Sequence, residues 1–587
     1  MKNNSTKTKI LHLCIQGVFL LTLFLIVFSC SEKQGKWLAQ DFSEGFGILK
    51  MGNPETIGRF GGGGWARVNG ADFDGDGDID LAVNFGRGGN ASGTFAGLYI
   101  YENIGNKTDG LLNEGTKLSD KEGDVFVGHA NNDGLMDIYC EGDLFINQST
   151  GNNISFTKTK NAEQPDWPTP GEYDWDNDGL KDKFIMSQWH LELVDGNSGD
   201  TTRLMVGESE WLEDIFIRPF VCDWDGDNDP DLLIGQESGH ITFIENSSGT
   251  LLGEKHLLQK NPNVKSGCAV VPTLCDWDND GDIDIIAGTS AGFLELYENE
   301  NGEFKPVKRL EASGKVIRIE AGELGSVQGP GEARWGYLCP FATDWDLDGD
   351  IDIVAGCVTG QNLFFENIGT AQKPELAEVQ YLQVDWDNQS PVYPDGMRYE
   401  PEPNQLITQW RCRPVVMDWN GDDLPDYLTI DEKGTLACYP RYLRADGSLG
   451  LKPATYPFLG ESNQPLAFCT HKTPGRNGRI KFSLADWDGD GDLDIIRNGG
   501  LEDGTRNLDN GLNFSYLECI KTEDNTSVFK WRGELMKTDK IHLQGHTDSP
   551  IVFDVDGNGS PDIISGCEDG NIYWFLHKWI ENENDSE

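Results

Sequence analysis

Asp276-Trp277-Asp278-Asn279-Asp280-Gly281-Asp282-Ile283-Asp284 puts five aspartates at alternate positions with one glycine among them. Oxygen donors at positions one, three and five, with glycine at six, let a short turn wrap a hard cation, as in the first half of an EF-hand loop. Here an aspartate at position nine closes the shell. All-oxygen ligation without His or Cys selects Ca²⁺ over zinc or copper. The same register begins at Asp72, His129, Asp174, Asp223, Asp276, Asp344, Asp418, Asp486 and Asp554. Nine turns in one register are an internal repeat, the first thing to settle in any chain.

The copies differ in ligand set. Five carry Asp at every odd position: Asp72, Asp74, Asp76, Asp78 and Asp80; Asp223, Asp225, Asp227, Asp229 and Asp231; Asp276, Asp278, Asp280, Asp282 and Asp284; Asp344, Asp346, Asp348, Asp350 and Asp352; Asp486, Asp488, Asp490, Asp492 and Asp494. The third copy offers Asp174, Asp176, Asp178 and Asp182, the seventh Asp418, Asn420, Asp422 and Asp426, and the ninth Asp554, Asp556, Asn558 and Asp562. Asn228 and Asp423 stand where glycine is usual, and the second copy opens with His129, a reason to expect it metal-free. Asp385-Trp386-Asp387-Asn388 resembles a tenth start but lacks the Asp-Gly that should follow.

An apolar run leads into each loop and another leads out, as in Leu232-Leu233-Ile234-Gly235; a third follows a short turn, as in Ile241-Thr242-Phe243-Ile244. Strand, loop, strand, turn, strand and a variable fourth strand make a four-stranded antiparallel unit. Such units repeated around a ring are propeller blades. The Asp-x-Asp-Gly-Asp-Gly-x-x-Asp loop followed by an apolar strand resembles the FG-GAP/VCBS repeat of integrin α-chain propellers and many secreted bacterial proteins. That resemblance spans about residues 55 to 580 and implies an all-β fold with structural Ca²⁺, while leaving function open. The expectation is a single β-propeller of eight or nine blades over 41–580, with Phe42 to Met51 supplying the outer strand of the last blade. Two smaller propellers are the alternative, against which stands the lack of a Pro/Ser-rich linker. Residues 581–587 are expected to be a disordered tail.

Lys2, Lys7 and Lys9 precede an apolar run from about Leu11 to Phe28, the pattern of a secretory signal. Val27-Phe28-Ser29-Cys30 resembles a bacterial lipobox, which implies a signal over 1–29, lipidation of Cys30 and a tether over 30–40; an uncleaved anchor is the alternative. The protein is expected outside the cytoplasm, held on the outer membrane or cell surface. Eleven further cysteines are spread at wide spacing; Cys222 and Cys275 stand immediately before a loop and Cys357 and Cys567 at equivalent places after one, which reads as core packing rather than a disulfide framework.

The formal net charge of −51 argues against a nucleic-acid partner. The nine loops hold 38 Asp and one Lys, so they account for −37 of it. The charge therefore does not speak against an anionic ligand elsewhere. If every Asp loop lies on one face, the second turns and the lead-ins lie on the other. There the sequence places Trp65, Arg67, Arg87, Trp189, His190, Arg334, Trp335, Tyr337, Trp410, Arg411, Arg413, His471, Lys472, Arg476 and His546. Aromatic planes stack on sugars and Arg grips carboxylate or sulfate bidentately, so the group reads as a site for an acidic polysaccharide or surface glycan. The competing explanation is that Trp and Arg brace long loops by cation–π packing.

A lyase acting by β-elimination would need a cation on the uronate carboxylate, a base and an acid. Arg334 or Arg411, His190 or His471, and Tyr337 are the candidates. The alternative is a non-catalytic adhesin or capture lipoprotein for a glycan or protein partner.

Overall fold

A computed structural model of the chain describes residues 45–86, 96–106, 110–151, 153–187, 189–214, 216–387, 389–394, 397–468, 478–498, 514–535 and 548–580. Every Asp loop is the turn of a β-hairpin. In the fourth copy Phe216–Cys222 runs into the loop, Asp231–Gln236 leads out, and Ile241–Ser247 and Thr250–His256 complete an antiparallel sheet. The ninth-position aspartate opens the second strand in all nine sheets. Second strands such as Asp284–Gly288 are buried on both faces, which is why they read as unbroken apolar runs. The outermost strands Phe156–Lys160 and Thr201–Arg203 are polar and exposed, which blunts them as pairing edges. Seven of the nine sheets have four strands; the seventh has three among the described residues, and the eighth gains Phe458–Gly460 in parallel at its edge.

The apolar clusters lie between sheets, and they record which sheets are neighbours. Ala82 and Ile100 of the first sheet meet Ile138 and Phe145 of the second. Phe184 and Leu191 of the third meet Leu232 and Ile244 of the fourth. The fourth then returns to the first, with Leu233 and Phe243 packed among Val83 and Tyr99. A cavity of about 170 Å³, lined by Asn69, Val127, Met136, Thr169, Gly171 and Phe220 among others, is shared by the inner strands of these four sheets. Sheets five to nine follow in order through four further clusters. The ninth returns to the fifth, with Ile564 and Trp574 against Ile285 and Tyr297.

The expectation of one ring sets the first sheet beside the ninth and the fourth beside the fifth. The packing differs, and glycines at the ends of second strands give the reason. A Cβ at Gly288 would meet the carbonyl of Leu338 at 2.2 Å, and one at Gly356 that of Cys412 at 2.1 Å, so this position touches the lead-in of the next sheet. At Gly235 the carbonyl met, at 2.0 Å, is that of Ala66, and at Gly566 it is that of Val270, at 2.3 Å. Contact this close admits only glycine. The fourth sheet thus abuts the first, and the ninth abuts the fifth.

The four-sheet group is an insertion in the five-sheet group. Phe46–Ile48 is the outer strand of the ninth sheet, with Phe46 opposite Phe575, as the sequence placed it. The chain then crosses through Ile57–Arg59 and returns through Leu258–Lys260, and these crossings pair antiparallel. A paired ribbon, not a Pro/Ser-rich linker, joins the two groups. Arg309 of the fifth sheet grips Glu213 bidentately at 3.0 and 2.7 Å, and Arg59 of the ribbon pairs with Glu295 at 2.7 Å. Of the ten described cysteines nine are buried.

Candidate metal loops and the opposite face

Each loop folds on its own carboxylates. In the copy at Asp276, the first-position Oδ2 accepts the sixth-residue N–H at 3.1 Å, and Asp280 Oδ1 accepts from Asp282 N at 2.9 Å. The sixth residue is left-handed throughout, with φ of 98° at Gly281, 74° at Asn228 and 67° at Asp423, so the substituted copies keep the turn. The ninth-position aspartate has a second role that spacing does not reveal. Asp284 Oδ2 accepts from Trp277 N at 2.8 Å and its Oδ1 from Asn299 N at 2.7 Å, tying the loop to the end of the third strand. The same pair of bonds recurs at Asp80, Asp137, Asp182, Asp231, Asp352, Asp426, Asp494 and Asp562.

Several of these clusters could hold a metal ion. Carboxylate oxygens of Asp72, Asp74 and Asp80, of Asp174, Asp176 and Asp182, and of Asp223, Asp225 and Asp231 all lie within 4.8 Å of one another; in the copies at Asp276 and Asp344 the first, third and fifth aspartates do so. Asp74, Asp174, Asp223, Asp278 and Asp344 each keep a buried carboxylate oxygen with no hydrogen-bond donor. Orphaned buried acceptors of one charge sign are costly unless a cation completes them. Burial pushes the Asp80, Asp284, Asp352 and Asp494 carboxyls up to about 7 against the pull of their backbone donors. The donor set fits a hard, oxygen-seeking ion. In the copy at Asp418, Asn420 Nδ2 instead donates to both Asp426 oxygens, and in the second copy the His129 ring bonds the Leu135 carbonyl at 2.8 Å. Asp385 is held by Arg444 and Tyr442, each at 2.7 Å.

The lead-ins carry strained residues. Trp65, Ala269, Tyr337 and Arg411 are left-handed, with φ between 44° and 58°. Their N–H groups bond the carbonyls of Glu237, Glu568, Ser290 and Cys357 in the second turns of the neighbouring sheets. Bulky residues in this region mark functional or over-determined positions. From them a chain of contacts runs across the face. Trp189 packs edge-on against Trp335 at 4.9 Å, Trp335 stacks on Tyr337 at 5.1 Å, and Arg411 lies 3.2 Å from the Tyr337 ring centroid and 4.5 Å from that of Trp410. Arg411 is itself bonded to Glu332.

Much of this group is bracing. Trp189, Trp335, Trp410, Arg411 and Arg413 are buried. Arg413 donates to Ser549 Oγ and to the carbonyls of Phe482 and Pro550, stitching three sheets together. His190 is buried, with Nδ1 at 2.9 Å from the Glu210 carbonyl. Its ring lies on Trp211, centroids 3.9 Å apart, and Arg334 lies 5.2 Å from the same indole while pairing with Glu320 at 3.2 Å. Trp211 is 45% exposed. It belongs to the lead-in of the fourth sheet, so the rule that singled out Trp65 and Trp410 reaches it too. Glu237 is not marked by any spacing in the sequence; burial, then Asp214 and Glu568, pushes its carboxyl up to about 8. Arg87, His471, Lys472, Arg476, His546 and Cys30 lie outside the described residues.

A family model described as FG-GAP-like repeat matches residues 276–355. No curated protein matches the chain. One similar solved structure is described as recognition of non-reducing terminal N-acetylglucosamine by an Agrocybe aegerita lectin, at 15% identity and TM-score 0.26, over 66% of this chain and 84% of that one. Another, described as NanB plus Optactamide, is 11% identical at TM-score 0.28, over 90% and 71%. Scores this low carry no argument about fold or function.

Proposed function

We propose that the chain is an extracytoplasmic, calcium-stabilised pair of β-propellers, four-bladed within five-bladed, that binds an acidic polysaccharide on the face opposite its Asp loops. It is held on a membrane by lipid at Cys30. The ring reading rests on the two returns of packing, from fourth sheet to first and from ninth to fifth. The glycan reading rests on one observation above the others: Trp211 offers an exposed indole backed by His190 and flanked by Arg334. An exposed indole stacks on a sugar ring while the guanidinium meets its carboxylate.

Binding is favoured over cleavage because three of the named catalytic groups are engaged: His190 on the Glu210 carbonyl, Arg334 on Glu320, Arg411 on Glu332. A lyase remains the second reading, since His190 and Arg334 share the Trp211 indole. The test is titration with uronate-containing polysaccharides while following absorbance of the unsaturated uronate product. Saturable binding lost in Trp211→Ala, without product, is the expected result. Product formation abolished by His190→Ala would establish the lyase instead, and no binding across a broad panel sinks both.

A further inference from the structure

Five residues ahead of the first loop position, each sheet presents one residue at or near the start of its inner strand. In the four-sheet group these are Arg67, Asp124, Thr169 and Arg218; in the five-sheet group they are Val271, Cys339, Arg413, Lys481 and Ser549. The Arg413–Ser549 bond shows that this register position meets across the axis of its group. The same happens in the four-sheet group. Arg67 Nε lies 3.6 Å from Asp124 Oδ1, and Arg218 Nη1 lies 2.8 Å from Asp124 Oδ2.

The two axes differ in what their arginines can still do. Arg413 is buried and spends its donors on carbonyls and hydroxyls. Arg67 and Arg218 keep side chains 30% and 38% exposed, and among the described residues their only polar partner is Asp124. Two guanidiniums on one carboxylate leave a net positive charge and most of ten N–H donors open. The backbone is bent to make this arrangement. A register shift between Phe216 and Pro219 puts Arg218 in a β-bulge, a device that re-aims side chains beside binding sites. Trp65, two residues ahead of Arg67, is left-handed at φ 58° and only partly buried. Asn69, Thr169 and Phe220 carry the same lining down into the 170 Å³ cavity. That cavity is lined by Glu172 and by neither arginine, and its volume is well below the ~300 Å³ of a typical ligand pocket, so an acidic group is placed at the mouth, on the guanidiniums, and not inside it.

We propose that the mouth of the four-sheet axis is a carboxylate-recognition site, in which Arg67 and Arg218 take the acid of a uronic-acid residue and Trp65 faces its ring. This deepens the acidic-glycan reading, yet it uses residues apart from Trp211. Planar carboxylate matches the guanidinium fork better than a point charge would.

The experiment titrates the full chain, in saturating calcium, with free glucuronate, with glucose, and with glucose 6-sulfate. Glucuronate should bind and glucose should not. Arg67→Gln and Arg218→Gln should each weaken binding at least tenfold, and Asp124→Asn should tighten it several-fold by releasing both arginines. A purely structural trio predicts no such gain. Should Arg218→Gln fail to fold, Arg218→Lys keeps the charge without the fork and should still bind more weakly. Absence of glucuronate binding, binding indifferent to both arginine variants, or preference for the sulfate would overturn the proposal. Trp211→Ala should leave glucuronate binding intact while weakening the polysaccharide. Loss of the polysaccharide reading alone therefore appears as glucuronate binding without polymer binding.

Discussion

Removing the metal should make stability fall as pH rises. In the metal-free five-sheet group, burial holds the Asp284, Asp352 and Asp494 carboxyls at about 7, against an unfolded value near 3.8. Because the folded pKa is raised, the native state binds more protons between these limits, and stability falls as pH rises through the window. Between pH 6.5 and 8 one such group loses about 0.8 kcal/mol, so the three, on separate sheets, lose about 2 kcal/mol. For a unit of this size that is a Tm lower by about 5 °C at pH 8 than at pH 6.5. Saturating calcium should cancel the slope, since protons now compete with the metal for the same oxygens. It should also raise Tm at both values, each site adding about 2.7 kcal/mol at a hundredfold excess over Kd. Scanning calorimetry at the two pH values, in chelator and in calcium, measures all four points. A chelated protein as stable at pH 8 as at pH 6.5, or a Tm indifferent to calcium, would refute the assignment of these loops as cation cages.

Three further outcomes test the packing. Gly235→Ala and Gly566→Ala force a Cβ against the Ala66 and Val270 carbonyls and should each destabilise by about 2 kcal/mol in urea unfolding, while Gly253→Ala, with open space around it, should be near neutral; equal effects would undo the two returns of packing. Arg309→Ala removes a partly exposed bidentate pair across the joint between the groups and should cost about 1 kcal/mol. Its signature is two calorimetric transitions in place of one, and an unsplit, unshifted melt would count against the joint. His256 is pushed down to about 3 by burial, then by Arg59 and Arg309. Its native state binds fewer protons below pH 6.5, so stability should fall on acidification by up to about 1.4 kcal/mol per pH unit. Buried His240, pushed the same way, shares that limb, so in saturating calcium His256→Gln should reduce the slope of the urea midpoints, and an unchanged limb would place the acid lability elsewhere.

What was legible in the sequence, and what was not, divides along one physical line. The loops could be read because their chemistry is local: alternate oxygens and one left-handed residue suffice, and Asn228 and Asp423 keep the turn in the backbone they adopt. The second strands could be read because burial on both faces leaves no polar alternation. Neighbourhood between sheets could not, since a repeat of uneven length states what each unit is and is silent on what it touches. It is set by contacts far apart in sequence, such as Gly235 on Ala66. The axial arginines show the consequence. Their spacing from the loops is plain in the chain, yet in one ring Arg67 would stand between Asp124 and Ser549, with Arg218 between Thr169 and Val271. Only the return of the fourth sheet to the first sets both guanidiniums on Asp124, so the site exists by virtue of the packing that the repeat leaves unstated.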